Sequence, residues 1–307
     1  MADPQLPLVV GVDGSESASL AAVWAATEAR LHAAPLRLVH AAGWRSHPSL
    51  APDYPQGGLI SRARAESVLA SAAHRARRAA ELLEPEVESV PEDAVAALVR
   101  EARTARLLVL GAPRPGRRLR PGTAPAVAAR AACPVVVVRG TEAGGGAGGA
   151  GRRQQRTGLP VVLAVGPDPV PEAVEFAFAE AAARGAEVRV EAVHAWRAPM
   201  NPPMADPAAW YLSARADDPA VEAMRRRALR TLDEALRPAA ARHPGVAVLR
   251  RAVEGPTRRV LLDASTGAAL LVLGARWRRG PLTRQLGPRI HAALHHARCP
   301  VVIVPEG

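Results

Sequence analysis

The chain has 307 residues and a mass of 32.1 kDa, enough for two domains of ordinary size. Hydrophobic residues at 49% and charged residues at 22% exclude a mostly disordered chain, while 3% aromatics makes the cores aliphatic and disfavours stacking platforms for single-stranded nucleic acid. The net charge is +11, and every one of the 40 basic residues is Arg, so no P-loop, Schiff-base or Ser–Lys chemistry exists here, whereas bidentate phosphate contacts do suit the composition.

In chain order, apolar runs at 6–12, 36–41, 87–90, 107–110 and 134–138 predict strands, the third of them weakly. Between them, Ala- and Leu-rich segments at 18–33, 61–83, 92–102 and 124–131 carry apolar residues at helical spacing. Gly140 to Gly158 follows, with a Gly/Ala tract at 144–151. Ordering glycine costs the most backbone entropy, so this stretch reads as a flexible linker. Strands are predicted again at 160–165, 188–193, 246–252, 270–273 and 301–304, with helices at 171–183, 220–242, 257–265 and 288–295.

The second series repeats the first. Leu-Leu-Val-Leu-Gly-Ala opens both 107–112 and 270–275, and Cys-Pro-Val-Val recurs at 133–136 and 299–302. Upstream, Leu38-Val39-His40-Ala41 pairs with Ala192-Val193-His194-Ala195, Val9-Val10 with Val161-Val162, and Trp24-Ala25 with Phe176-Ala177. The repeat unit is far longer than that of a solenoid, so it is a duplicated domain. The expected division is 1–140, a linker at 141–158, and 159–307. Strands apolar throughout are buried on both faces, and strand–helix alternation gives a parallel sheet with right-handed crossovers. Each copy is therefore expected to be a doubly wound α/β domain. Its ligand would sit at the carboxyl ends of the strands, after Val12, Val39 and Leu110.

After the first strand comes Asp13-Gly14-Ser15-Glu16-Ser17. Asp13 can accept hydrogen bonds from an adenine amino group or a ribose. The same residues also suit a plain Asp-Gly turn, with Ser15 or Ser17 capping the next helix. After the fourth strand, Gly111 would let backbone approach a ligand closely, and Gly122-Thr123 opens a helix whose N–H groups can meet an anion. Thr123 could donate to a phosphate or merely cap. Gly274 and Gly287 hold the same places in the second copy, where Pro288 removes a hydroxyl and an N–H. Both loops are basic: Arg114, Arg117, Arg118 and Arg120 in one, Arg276, Arg278, Arg279, Arg284 and Arg289 in the other. They read as solvated loops or, more sharply, as a salt-sensitive grip on an anionic ligand or nucleic-acid backbone.

Together these residues resemble the universal stress protein family, in tandem. The resemblance rests on Val-Gly-Val-Asp-Gly-Ser at 10–15, Val-His at 39–40 and 193–194, Leu-Val-Leu-Gly at 108–111 and 271–274, and Cys-Pro-Val-Val in each copy. It implies two five-stranded parallel-sheet domains, Rossmann-like and of the adenine nucleotide alpha hydrolase kind, in a pseudo-two-fold arrangement. Many members bind ATP through a Gly-x2-Gly-x9-Gly-Ser/Thr loop and an Asp after the first strand; others lack the motif and do not. The nucleotide-binding positions carried over are Val12, Asp13, Val39, Gly111, Arg114, Gly122 and Thr123 in copy one, with Val193, Gly274 and Gly287 as a degenerate set in copy two. Arg114 stands where the second Gly belongs, and 10 residues rather than 12 separate Gly111 from Gly122. Copy two keeps the spacing, but Trp277 and Pro288 replace motif residues and Val165 falls at the Asp position, with Asp168 three residues on. An indole cannot replace a glycine where backbone must approach phosphates. The resemblance therefore leaves ATP open in copy one, with Arg114 meeting a phosphate oxygen, and speaks against it in copy two. It further implies that the last strands of the copies pair edge to edge, covering two apolar edges; dimerisation beyond that is not readable.

His291 and His295 lie at a metal-sharing spacing before Cys299, yet no carboxylate completes a shell, so they read as a helix-surface pair and no metal site is expected. His40 and His194 read as structural or pocket-rim groups, and Cys133 and Cys299 as buried thiols. There is no Gly-x-Ser-x-Gly elbow, no Gly-x-Gly-x-x-Gly after the first strand, and no pair of carboxylates in suitable loops. No leader or membrane span is apparent, which reads as a cytoplasmic protein. The expectation is a non-enzymatic stress-response binding protein that senses a nucleotide through copy one. An ATP-independent scaffold and a slow nucleotide hydrolase are the alternatives.

Overall fold

The computed structural model describes residues 5–43, 57–112, 122–139, 158–197, 219–276 and 286–307. The linker tract and most of both Arg-rich loops lie outside them. In the first half, Leu8–Gly11 (β1), Leu36–Ala41 (β2), Glu86–Val90 (β3), Leu107–Ala112 (β4) and Val135–Arg139 (β5) form a parallel sheet in the order β3-β2-β1-β4-β5. In the second half, Val161–Ala164 (β6), Val190–Trp196 (β7), Val248–Glu254 (β8), Leu270–Ala275 (β9) and Val301–Pro305 (β10) repeat that order as β8-β7-β6-β9-β10.

The halves join through β5 and β10, which run antiparallel with Val302 opposite Val136, flanked by Val301–Val137 and Ile303–Val135. The result is one ten-stranded sheet. All six seam residues are at most 1% exposed, so the joint is a continuation of the core. The outer edges are β3 and β8, and both carry charge: Glu86 and Glu88 on one, Arg250 and Arg251 on the other. Charged edges discourage further pairing, and the polar faces of β3 explain its faint signal in sequence.

Eight helices cover the sheet among the described residues: Glu16–Leu31 (α1), Gly57–Ala79 (α2), Ala94–Glu101 (α3), Thr123–Ala128 (α4), Pro171–Arg184 (α5), Pro219–Arg242 (α6), Thr257–Ser265 (α7) and Pro288–His296 (α8). None is long and apolar enough to cross a membrane. The sheet's residues alternate between two cores. Leu8, Val10, Leu38, Val109 and Val136 face the layer holding α1, α2, α5 and α6, while Val9, Val39, Leu108, Leu110 and Val137 face the other. Helix α1 meets the sheet through Ala18, Ala21, Ala22, Ala25, Ala26 and Ala29, all buried; small side chains let its backbone lie close to the strands. Strand β5 starts one residue later than the expected 134–138, because Pro134 lacks an N–H and only accepts, from Leu108, and both β5 and β10 run one residue further than expected.

Candidate functional site

In each half the chain leaves the central strand for β2 or β7 on one side and for β4 or β9 on the other. The switch point therefore lies at the carboxyl ends of β1 and β4, and again of β6 and β9. Gly11 pairs with both Val39 and Leu110, so the turns after β1 and β4 open side by side. At the first turn, Ser15 N–H donates to Asp13 Oδ1 at 2.9 Å, and Gly14 adopts φ +84°, where a side chain would be strained. Ser15, not Ser17, caps α1: its Oγ accepts from Ala18 N–H at 3.1 Å. Asp13 is exposed, and among the described residues nothing but Ser15 reaches its carboxylate. A cavity of about 180 Å³ lies beside the turn, lined by Val12, Gly14, Ala18, Ser67, Val68 and Ala72.

Val12 and Val39, carried over as ligand positions, are buried, and their backbones are engaged with each other: Val12 N–H donates to Val39 O at 2.9 Å. Val193 accepts from Val165 N–H in the same way. His40 Nδ1 then donates to Val12 O at 2.8 Å, and His194 Nδ1 to Val165 O at 2.9 Å. A carbonyl only accepts, so both rings carry the proton on Nδ1 and leave Nε2 as an acceptor when neutral. The two histidines fix the strand end just before the turn in each half.

This symmetry corrects the sequence alignment of the halves. Ala164 pairs with Leu273 as Gly11 pairs with Leu110, so Val165 matches Val12 and not Asp13. The residue in Asp13's place is Gly166, followed by Pro167, with Asp168 where Ser15 stands. The halves differ by one residue before the next helix, and only the hydrogen-bond register shows on which side the gap falls. An Arg289 guanidinium nitrogen comes within 3.7 Å of the point where a Gly166 side chain would begin. A base thus stands where copy one has an acid. The neighbouring cavity of about 360 Å³ is walled by Pro167, Pro169, Pro171, Thr231, Pro238 and Arg242.

Gly111 and Gly274 also take a different reading. A Cβ on Gly111 would lie 2.3 Å from Ser17 C and 2.5 Å from Ala18 N, so it is the first turn of α1 that approaches here. A Cβ on Gly274 would meet Val170 Cβ at 2.6 Å. Close helix–strand packing requires both glycines whether or not a ligand comes near. Gly122 and Gly287 are the N-caps of α4 and α8, extended and without a side-chain cap bond. Thr123 is the first residue of α4, a helix of only six residues, so it does not act as the cap. Arg114 and Trp277 lie outside the described residues.

Sequence reasoning missed one group of side chains. Glu28 on α1 and its C-cap His32 meet Glu180 and Arg184 on α5 across the seam. Burial and the neighbouring Glu180 push the Glu28 carboxyl up to about 7, against the pull of Arg184, while for Glu180 burial, which pushes upward, is outweighed by His32 and Arg184, which hold it below the usual carboxylate range. Elsewhere, burial pushes the Cys133 thiol up to about 12, and Cys299 is also buried. The His291 and His295 rings stack at 5.9 Å on the surface of α8.

The universal stress protein family profile matches residues 7–139 and 159–305. Universal stress protein Rv2005c of Mycobacterium tuberculosis is 31% identical over 319 aligned positions, covering 97% of this chain and 97% of that protein. Universal stress protein Rv2623 of the same organism is 31% identical over 312 positions, covering 98% and 97%. A universal stress protein from Archaeoglobus fulgidus, known from its crystal structure, matches with a TM-score of 0.63 over 98% of this chain and 96% of that one. Its 14% identity makes that a likeness of fold.

Proposed function

The chain belongs to the universal stress protein family, with the family profile matched once in each half, and on that premise we propose a stress-response binding protein whose first half alone takes an adenine nucleotide. The observation that carries this reading is the difference at the switch points. Copy one presents the exposed Asp13 carboxylate on a turn held by Ser15 and Gly14; copy two presents Gly166 with Arg289 beside it. A carboxylate suits ribose hydroxyls or an adenine amino group, both donors. Phosphates would then lie toward Gly111, Gly122 and Thr123, with Arg114 as the partner that the sequence offers. The base in copy two favours an anion without the sugar, the role left to a regulatory scaffold.

The test is mass spectrometry of the native full chain, with calorimetric titration by ATP. One nucleotide per chain is expected, lost in Asp13→Ala and in Gly122→Val, with both variants folded by circular dichroism. No binding at millimolar ATP leaves the scaffold reading. Phosphate release abolished by Asp13→Ala would instead make the protein a slow hydrolase.

A further inference from the structure

Helices α1 and α5 pack on the same face of the sheet, α1 against β5 and α5 against β10, so their last turns converge over the seam. Glu28 lies on the last turn of α1 and His32 is its C-cap four residues on, while Glu180 and Arg184 are one turn apart on α5. Their side chains are buried, with Glu28 and His32 each 8% exposed and Glu180 6%. Arg184 Nη2 donates to Glu28 Oε1 at 2.7 Å, and its Nη1 pairs with Glu180 Oε2. The guanidinium thus holds the outer oxygen of each carboxylate. The inner oxygens, Glu28 Oε2 and Glu180 Oε1, and His32 Nε2 all lie within 4.8 Å of one another.

His32 Nε2 is 3.0 Å from Glu180 Oε1 and 3.8 Å from Glu28 Oε2. Glu28 Oε2 and His32 Nε2 are nevertheless buried atoms without a hydrogen-bond partner. Orphaned buried polar atoms are costly and ask for a partner. With bonds of 2.0–2.1 Å, a tetrahedral zinc site sets its ligand atoms about 3.3 Å apart, between the two distances found here.

We propose that Glu28 Oε2, His32 Nε2 and Glu180 Oε1 bind one divalent transition-metal ion, zinc by the chemistry of the donors, between the two halves of the chain. Two carboxylates and one imidazole suit zinc, whereas magnesium and calcium take oxygen ligands. The i, i+4 placement of Glu28 and His32 makes the carboxyl end of α1, with its C-cap, a chelating pair. Arg184 orients both carboxylates from behind as an outer partner. Arg106 Nη2 stands 3.3 Å from His32 Nδ1. An arginine only donates, so metal at Nε2, which places the proton on Nδ1, releases that exposed contact.

The experiment titrates zinc chloride into the chelator-stripped full chain, with His291→Ala/His295→Ala/His296→Ala as the background to remove surface histidines. One equivalent should bind in that background. Affinity should fall at least about tenfold in His32→Gln and Glu180→Gln, and about tenfold in Arg184→Met. Arg106→Ala should bind as tightly or more tightly. Cobalt(II) added to the unsubstituted chain should give the strong visible bands of four-coordinate metal, a readout that does not depend on the variants folding. No zinc bound at micromolar concentration, binding that survives His32→Gln, binding that vanishes with the surface histidines, or only weak six-coordinate cobalt bands would each overturn the site. The cluster would then be a buried ion-pair clasp that closes with a proton.

Discussion

The two switch points share their frame and differ at their rim. Each has a buried valine whose carbonyl takes a histidine Nδ1 proton, and each has a glycine where the fourth strand passes the first helix. Beyond that frame, Asp13 faces Gly166, and the Ser15 cap of α1 has no side-chain counterpart on α5, whose N-cap is Val170. Packing restrains the frame in both halves, because any change there is felt by the core. Asp13 at the rim is exposed, so under the proposed reading a half that takes no nucleotide is free to change it.

Gly111→Ala should have the largest effect of the variants that test this contrast. The added carbon would press on α1 backbone at 2.3–2.5 Å, and backbone cannot turn aside. A loss of about 3 kcal/mol is expected. At Gly274 the nearest atoms include Val170 Cβ at 2.6 Å and Ala173 Cβ at 3.3 Å, a milder overlap that is relieved only as their backbone shifts. There, about 1–2 kcal/mol is expected. Denaturant melts of the two variants decide it: equal losses would mean that the two helices press on their strands alike, and the frame is less asymmetric than drawn.

Much of the frame is readable before any coordinates, because Val- and Leu-rich runs buried on both faces announce parallel strands. Edge strand β3 was faint for the physical reason that Glu86, Val87 and Glu88 are not buried on two faces. The site was less legible. Setting Val165 against Asp13 follows from counting residues, and only the pairing of Ala164 with Leu273 reveals the one-residue offset. The glycines at 111 and 274 look like ligand contacts in sequence, because a glycine does not say whether a ligand or a helix comes near. Glu28 and Glu180 look like surface positions on amphipathic helices. Yet the repeat spacing that pairs Trp24 with Phe176 also pairs Glu28 with Glu180 and His32 with Arg184. That acid-then-base recurrence, read with the expected seam, was the available signal.

Where the halves match, variants should behave alike. Cys133→Ser and Cys299→Ser should each cost about 1–2 kcal/mol, since both thiols are buried and a hydroxyl is dearer to desolvate. The native thiols should also resist alkylation at pH 8–9. With its pKa raised to about 12, Cys133 holds almost no thiolate there, and reactivity should appear only above that range or on unfolding. Rapid labelling of one cysteine in the folded chain would reveal a half more open than its twin.

The smallest effect separates frame from rim most cleanly. His40→Ala and His194→Ala each remove one hydrogen bond to a strand-end carbonyl, from Val12 at 2.8 Å and Val165 at 2.9 Å. Each should cost about 1 kcal/mol in stability, the ordinary net worth of such a bond. Their effects on nucleotide binding should differ. Val12 immediately precedes Asp13, so loosening its carbonyl lets the carboxylate wander and should weaken ATP binding severalfold, whereas Val165 precedes only Gly166. Paired melts and ATP titrations of the two variants test this. If His194→Ala weakened binding as much as His40→Ala, the nucleotide could not belong to the first half alone, and the divergence at the rim would have another cause.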